Sequence, residues 1–142
     1  MSTFEYNQRR VTIKIVNLTQ HIATADQVKA GVVEPTAEQK AVIVSALNFS
    51  EIPNVHDMKI KSDELASIMS QYDPDLSGDV KFMIGGAPYL MAALVDWAPV
   101  YEMVFAFSER ISEEQHMPDG SVRKVNVFKH QGFIPMMCCT NI

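Results

Sequence analysis

Cysteine is almost missing from this chain of 142 residues: there are two, Cys138 and Cys139, adjacent near the end. Neighbouring cysteines seldom bridge, because the small ring is strained. They provide no disulfide framework, so a reducing, cytoplasmic setting is expected. They are too few to hold zinc without further ligands nearby, and no metal and no cofactor is expected. An uninterrupted apolar run is lacking as well. The longest stretch, around Ala87 to Ala98, is broken by Asp96 and falls short of the roughly 18 residues a membrane helix needs. The first ten residues, Met1 to Arg10, lack the basic-then-apolar order of a signal peptide. Basic charge is also in deficit, with 12 Lys and Arg against 17 Asp and Glu. Duplex nucleic acid is bound by displacing counterions with many cations, so it is not an expected partner. A small anionic ligand held by a few local donors remains compatible with that balance.

What is present is apolar: 47% of residues are hydrophobic and 20% charged, as in a globular domain. The expected organisation is a flexible tail over residues 1–10, one α/β domain over 11–136 and a short tail over 137–142. The β-branched run Val11–Val16 predicts a strand. Thr24 and Gln27 form a capping-box pattern ahead of a short helix stopped at Gly31, and Thr36 and Gln39 repeat it. The second helix carries Val42, Ile43, Ala46 and Leu47 on one face, and whether Leu47–Phe49 is a short strand stays open. A third helix over about Val55 to Tyr72 aligns Leu65, Ile68, Met69 and Tyr72. Val80–Ile84 predicts a buried strand, and Pro88 opens a helix, apolar nearly all round and expected to be buried on several sides, that Pro99 ends. Tyr101–Phe107 predicts another buried strand. Arg110–Met117, the turn Pro118-Asp119-Gly120 and Ser121–Phe128 predict a hairpin, with a bulge suggested by Val122, Val125 and Val127 and with His130–Met136 extending or closing it. Together these predict a Rossmann-like sheet with parallel core strands, flanking helices and a C-terminal antiparallel β-hairpin.

Four segments could carry chemistry. Gly85-Gly86-Ala87-Pro88 joins a strand end to a helix start, where open α/β sheets bind ligands and backbone N–H groups can meet an anion. Its plain alternative is a tight turn that needs positive φ and close packing. Asn17-Leu18-Thr19-Gln20-His21 follows the first strand. Its amides, hydroxyl and imidazole suit a nucleobase or ribose, unless they only satisfy loop backbone groups. His21 is the candidate general acid or base, with no partner that the sequence identifies. Ser108 and Arg110 share one side of an extended segment, where Arg110 could clamp phosphate, or lie solvated beside glutamates. Lys129 and His130 sit among aromatics, a mix that stacks on and neutralises a nucleotide or simply lines a hairpin. Asp73 to Asp79 imitates the start of a calcium loop, but the twelfth position is Ile84, which supplies no carboxylate. His56 and His116 are expected on the surface, and Asp57, Asp63 and Glu64 on a solvated helix face.

The set Asn17–His21, Gly85–Pro88, Phe107–Arg110 and Phe128–Phe133 resembles a family of small bacterial and phage proteins often met near mobile or defence genes. More distantly it is similar to the stand-alone CRISPR-associated Rossmann-like proteins that bind cyclic oligoadenylates, some of them ring nucleases. That resemblance implies a cyclic or oligomeric nucleotide bound across a homodimer at the strand ends. Asn17, Thr19 and His21 would contact base or ribose, with Gln20 beside them. The amides of Gly85, Gly86 and Ala87 would take phosphate, and Arg110 or Lys129 would complete the clamp. Two departures stand out: these 142 residues hold no effector domain, and no catalytic residue is fixed by the pattern. The resulting expectation is a nucleotide-signal-binding protein of antiviral defence or counter-defence, which sequesters its ligand or cleaves it without metal. A nucleotide- or nucleoside-processing enzyme and an interaction protein without a small ligand are the alternatives.

Overall fold

The computed structural model describes residues 14–137. The expected strand positions Val11 to Ile13, the N-terminal tail and both cysteines lie outside the described residues. One sheet has the order β2-β1-β3-β4-β5. Its strands are β1 (Lys14–Asn17), β2 (Val32–Val33), β3 (Val80–Ile84), β4 (Glu102–His116) and β5 (Val122–Pro135). The first four run parallel and β5 closes the edge antiparallel. The α/β class, the parallel core and the C-terminal hairpin are therefore as the sequence predicts.

The helices are α1 (Ala25–Lys29), α2 (Ala37–Leu47), α3 (Val55–Tyr72) and α4 (Pro88–Leu94), the last prolonged by a 3-10 turn over Val95–Trp97. Thr24 and Gln27 close the capping box of α1, and Thr36 and Gln39 that of α2. A third box, Asn54 with Asp57, starts α3, so Asp57 is tied to the helix start rather than only solvated. Gly31 lies at φ 107°, where a side chain would be strained, and ends the α1 segment.

The strands bury both faces. Val16, Phe82, Ile84 and Met103 join Ile43, Leu65, Met69, Leu90 and Leu94 from α2, α3 and α4 in the main core. On the other face Ile15, Val32, Met83 and Val104 form a smaller cluster, against which Ala23 and Phe133 pack.

Several local expectations are corrected. Val42 is exposed, so only Ile43, Ala46 and Leu47 face the core. α4 buries Leu90, Met91 and Leu94, while Tyr89 is half-exposed; the helix is covered on one side only. The open question at Leu47–Phe49 resolves as no strand, since Leu47 ends α2, and a short strand that the sequence does not predict, β2, follows Gly31 directly. The buried strand and the hairpin's first strand are one continuous β4. The bulge lies not among the valines but where Phe107 faces Gly132 and Ser108 faces His130, leaving Gln131 as the extra residue.

Candidate crevice at the strand ends

β1 leads to β2 on one side of the sheet, and β2 returns through α2 and α3 to β3 on the other. The loops after β1 and β3 therefore diverge, which in open α/β sheets leaves a crevice at the carboxyl ends of those two strands. A cavity of about 440 Å³ lies there. Thr19, Gln20, His21, Gly85 and Gly86 line it, with Phe105 from β4. Two of the four sequence segments thus meet at one site, supported by the parallel pairing of Asn17 with Met83.

Asn17, at the end of β1 and bonded to the loop that lines the cavity, is fully buried. Its Nδ2 donates to the His21 carbonyl at 2.7 Å and to both carboxylate oxygens of Glu34 at 3.0 and 3.1 Å. Its Oδ1 accepts from the Thr19 N–H at 2.9 Å and the Thr19 hydroxyl at 2.7 Å. A buried amide must have its polar atoms paired, and here both ends are engaged inside the loop. Asn17 shapes the loop, and the loop presents Gln20 and His21. Lys40 on α2 ties down the same turn, its Nζ donating to the Thr19 carbonyl at 2.6 Å and the His21 carbonyl at 3.3 Å. Glu34 also accepts from the Ala23 N–H at 2.7 Å. The sequence reading missed Glu34 and Lys40. Their signal was faint: an acid just past a two-residue strand, and a lysine one turn into a capped helix.

The glycine turn lines the crevice, and of its plain alternative only the positive φ is corrected. Neither Gly85 nor Gly86 takes a positive φ. A Cβ on Gly86 would lie 3.3 Å from Leu47 Cδ2 and 3.3 Å from Met91 Cε, tighter than ordinary contact. A Cβ on Gly85 would meet Thr19 Cγ2 at 3.5 Å, an ordinary approach. A side chain at Gly86 would push the ends of Leu47 and Met91 aside, and positive φ is required at neither glycine. Ala87 caps α4 with no side-chain bond and is not among the crevice-lining residues, and Pro88 brings no N–H.

The other candidates lie elsewhere. Beyond Ala106, β4 and β5 continue as a two-stranded arm. Arg110 stands four residues past Ala106, about 13 Å along the strand at extended spacing. In the arm Ser108 pairs with His130, Glu109 with Lys129 and Arg110 with Phe128. The third and fourth segments therefore come together with each other, and not with the crevice, so the convergence of Arg110 or Lys129 on Gly85–Ala87 is corrected. Lys129 Nζ lies 3.7 Å from Glu113 Oε1 in an exposed ion pair. The His130 ring packs on Phe133 at 4.8 Å between centroids. No lysine or arginine is among the residues lining the crevice. Among the described residues, no three His, Cys, Asp or Glu side chains gather as a metal site. The carboxylate of Asp73, in the calcium-like loop, is taken up by the Ser77 hydroxyl at 2.6 Å and the N–H groups of Ser77 and Gly78. His56 and His116 are exposed, as expected. No helix among the described residues is long and apolar enough to cross a membrane.

The sheet order and its crevice define a mixed α/β protein with a ligand-sized opening at the switch between β1 and β3. The chain belongs to the Uncharacterized protein MJ1673 family, whose family model matches residues 13–134. No curated protein and no solved structure matches the chain.

Proposed function

We propose that the crevice binds a nucleotide of the signalling kind, cyclic oligonucleotides included, as part of a defence or counter-defence system. The observation that supports this is the meeting of Thr19, Gln20 and His21 with the Gly85-Gly86 backbone at one opening. Its volume of about 440 Å³ lies within the range of small-ligand sites. The Gln20 amide and the His21 imidazole suit the donors and acceptors of a base and ribose, the Thr19 hydroxyl proton being engaged within the loop, and Met83, Ile84 and Phe105 add apolar walls. In this reading the protein sequesters its ligand, or cleaves it without metal: a ribose 2′-hydroxyl attacks the adjacent phosphorus in line, a 2′,3′-cyclic phosphate forms as the P–O5′ bond breaks, His21 takes the hydroxyl proton and the leaving 5′-oxygen is protonated from water.

One observation favours a second reading. The lining holds no lysine or arginine, and Lys40 already donates to loop carbonyls. A crevice so equipped prefers a neutral nucleoside to a polyanion, which would make the protein a binder or processor of nucleosides. A thermal-shift and product screen separates the readings. The panel is cyclic di-, tri- and tetranucleotides, cyclic ADP-ribose isomers, AMP and adenosine. Stabilisation by the cyclic nucleotides supports the first reading and by adenosine alone the second. Silence across the panel rejects both.

A further inference from the structure

The arm beyond Ala106 is a two-stranded ribbon, and a lone ribbon of this kind is at best marginal in water. Its residues on β4 from Ser108 to His116 and on β5 from Val122 to His130 are exposed or half-buried. Pairing across the ribbon sorts them by face. One face carries Ile111 opposite Val127 and Glu113 opposite Val125, bounded by Glu109 with Lys129 and Gln115 with Arg123. Ile111, Val125 and Val127 thus form a small apolar centre ringed by charge. The other face is mostly polar, apart from Val122 and Phe128.

Charge is divided between the two strands. On the face that bears Ile111, β4 holds two acids, Glu109 and Glu113, and no base, and β5 holds two bases, Arg123 and Lys129, and no acid. In a two-fold dimer the same face meets itself. When the axis runs along the ribbon, rotation lays each β4 over the β5 of the other copy. Acidic strand then faces basic strand twice, and the two apolar centres meet between them. Stacking the ribbon on an unrelated surface gives no such automatic match.

We propose that the Ile111–Val125–Val127 face of the arm docks on the same face of a second copy of this chain. This does not depend on what the crevice binds. The face is narrow, so its buried area lies at the low end for stable interfaces, and the dimer is expected to be weak, concentration-dependent and sensitive to salt.

Sedimentation velocity on the full chain tests it, from about 5 to about 300 µM and at about 50 and about 500 mM NaCl. The sedimentation coefficient should rise toward the dimer value with concentration at low salt, and high salt should shift that rise to at least several-fold higher protein. Val127→Lys should abolish the rise, and Phe128→Ser, on the opposite face, should leave it in place. Far-UV circular dichroism and the melting temperature identify a variant that has merely unfolded. Should Val127→Lys unfold, Glu113→Lys gives the same readout with a surface change. A wild-type chain that stays monomeric throughout overturns the proposal. So does association that survives a folded Val127→Lys, or that is lost only in Phe128→Ser.

Discussion

The Nδ2 of Asn17 lies 3.0 and 3.1 Å from the two carboxylate oxygens of Glu34, joining the end of β1 to the residue just past β2. That pair holds the loop on which Thr19, Gln20 and His21 stand. Asn17 is fully buried, so Asn17→Ala strands loop N–H and C=O groups that it now satisfies. A loss of about 1–3 kcal/mol is expected from such unpaired buried groups. Asn17→Asp should cost more, since it sets a second carboxylate against Glu34. Urea unfolding measures both, and a double-mutant cycle with Glu34→Ala should show coupling between the two sites.

The two glycines of the turn should separate cleanly. Gly85→Ala meets Thr19 at ordinary contact distance and has no positive φ to strain. Its stability should stay within about 0.5 kcal/mol of wild type, while the added methyl narrows the crevice. Gly86→Ala presses on Leu47 and Met91 and should cost about 1 kcal/mol, with Gly86→Val losing more. Thermal and urea denaturation of the three variants provide the comparison.

Asp73 gives a pH dependence. Burial raises its pKa, but the hydroxyl and N–H of Ser77 and the N–H of Gly78 outweigh burial and hold it below the usual carboxylate value. A group whose folded pKa is depressed stabilises the fold above its unfolded pKa and loses that contribution as pH falls through the folded one. Stability should therefore fall as the pH drops below about 4, and Asp73→Asn should flatten that part of the profile. Urea unfolding free energies on the acid side check the slope.

Lys40 is expected to matter to the crevice without entering it. Lys40→Met removes the donor to the Thr19 and His21 carbonyls while keeping most of the apolar stem. Amide hydrogen exchange should quicken over residues 19–24 and remain unchanged in α3 and β3. Unchanged exchange in the loop would mean that the Asn17–Glu34 pair alone suffices to hold it.

Much of this architecture is legible in the sequence, and the failures have identifiable causes. The capping boxes at Thr24 and Thr36 and the apolar stripe of α3 are local signals, and they are found where local physics puts them. β2 is only two residues long, too short for any periodicity, and exists because Val32 and Val33 pair with Ile15 and Val16. The two glycine and polar-loop segments flank strands whose adjacency follows from crossover rules, so their meeting could be anticipated. Ser108 and Arg110 are the opposite case. The pattern predicts a strand end after Phe107, yet β4 runs on to His116 and carries both away from the crevice. Nothing in an alternating pattern marks where a strand leaves its sheet and becomes an arm. The resemblance implies a ligand contact for Asn17, whereas its loop bonds include one to Glu34, seventeen residues away, which no local pattern shows.

The most direct measurement is a two-dimensional amide NMR titration of the full chain with cyclic tetraadenylate, AMP and adenosine. Binding in the crevice predicts saturable shifts confined to residues 19–24, Gly85, Gly86, Phe105 and Ala106, with Arg110→Ala leaving the affinity within about two-fold of wild type. Shifts centred on the arm between Ser108 and His130, or none with any of the three ligands, would contradict it.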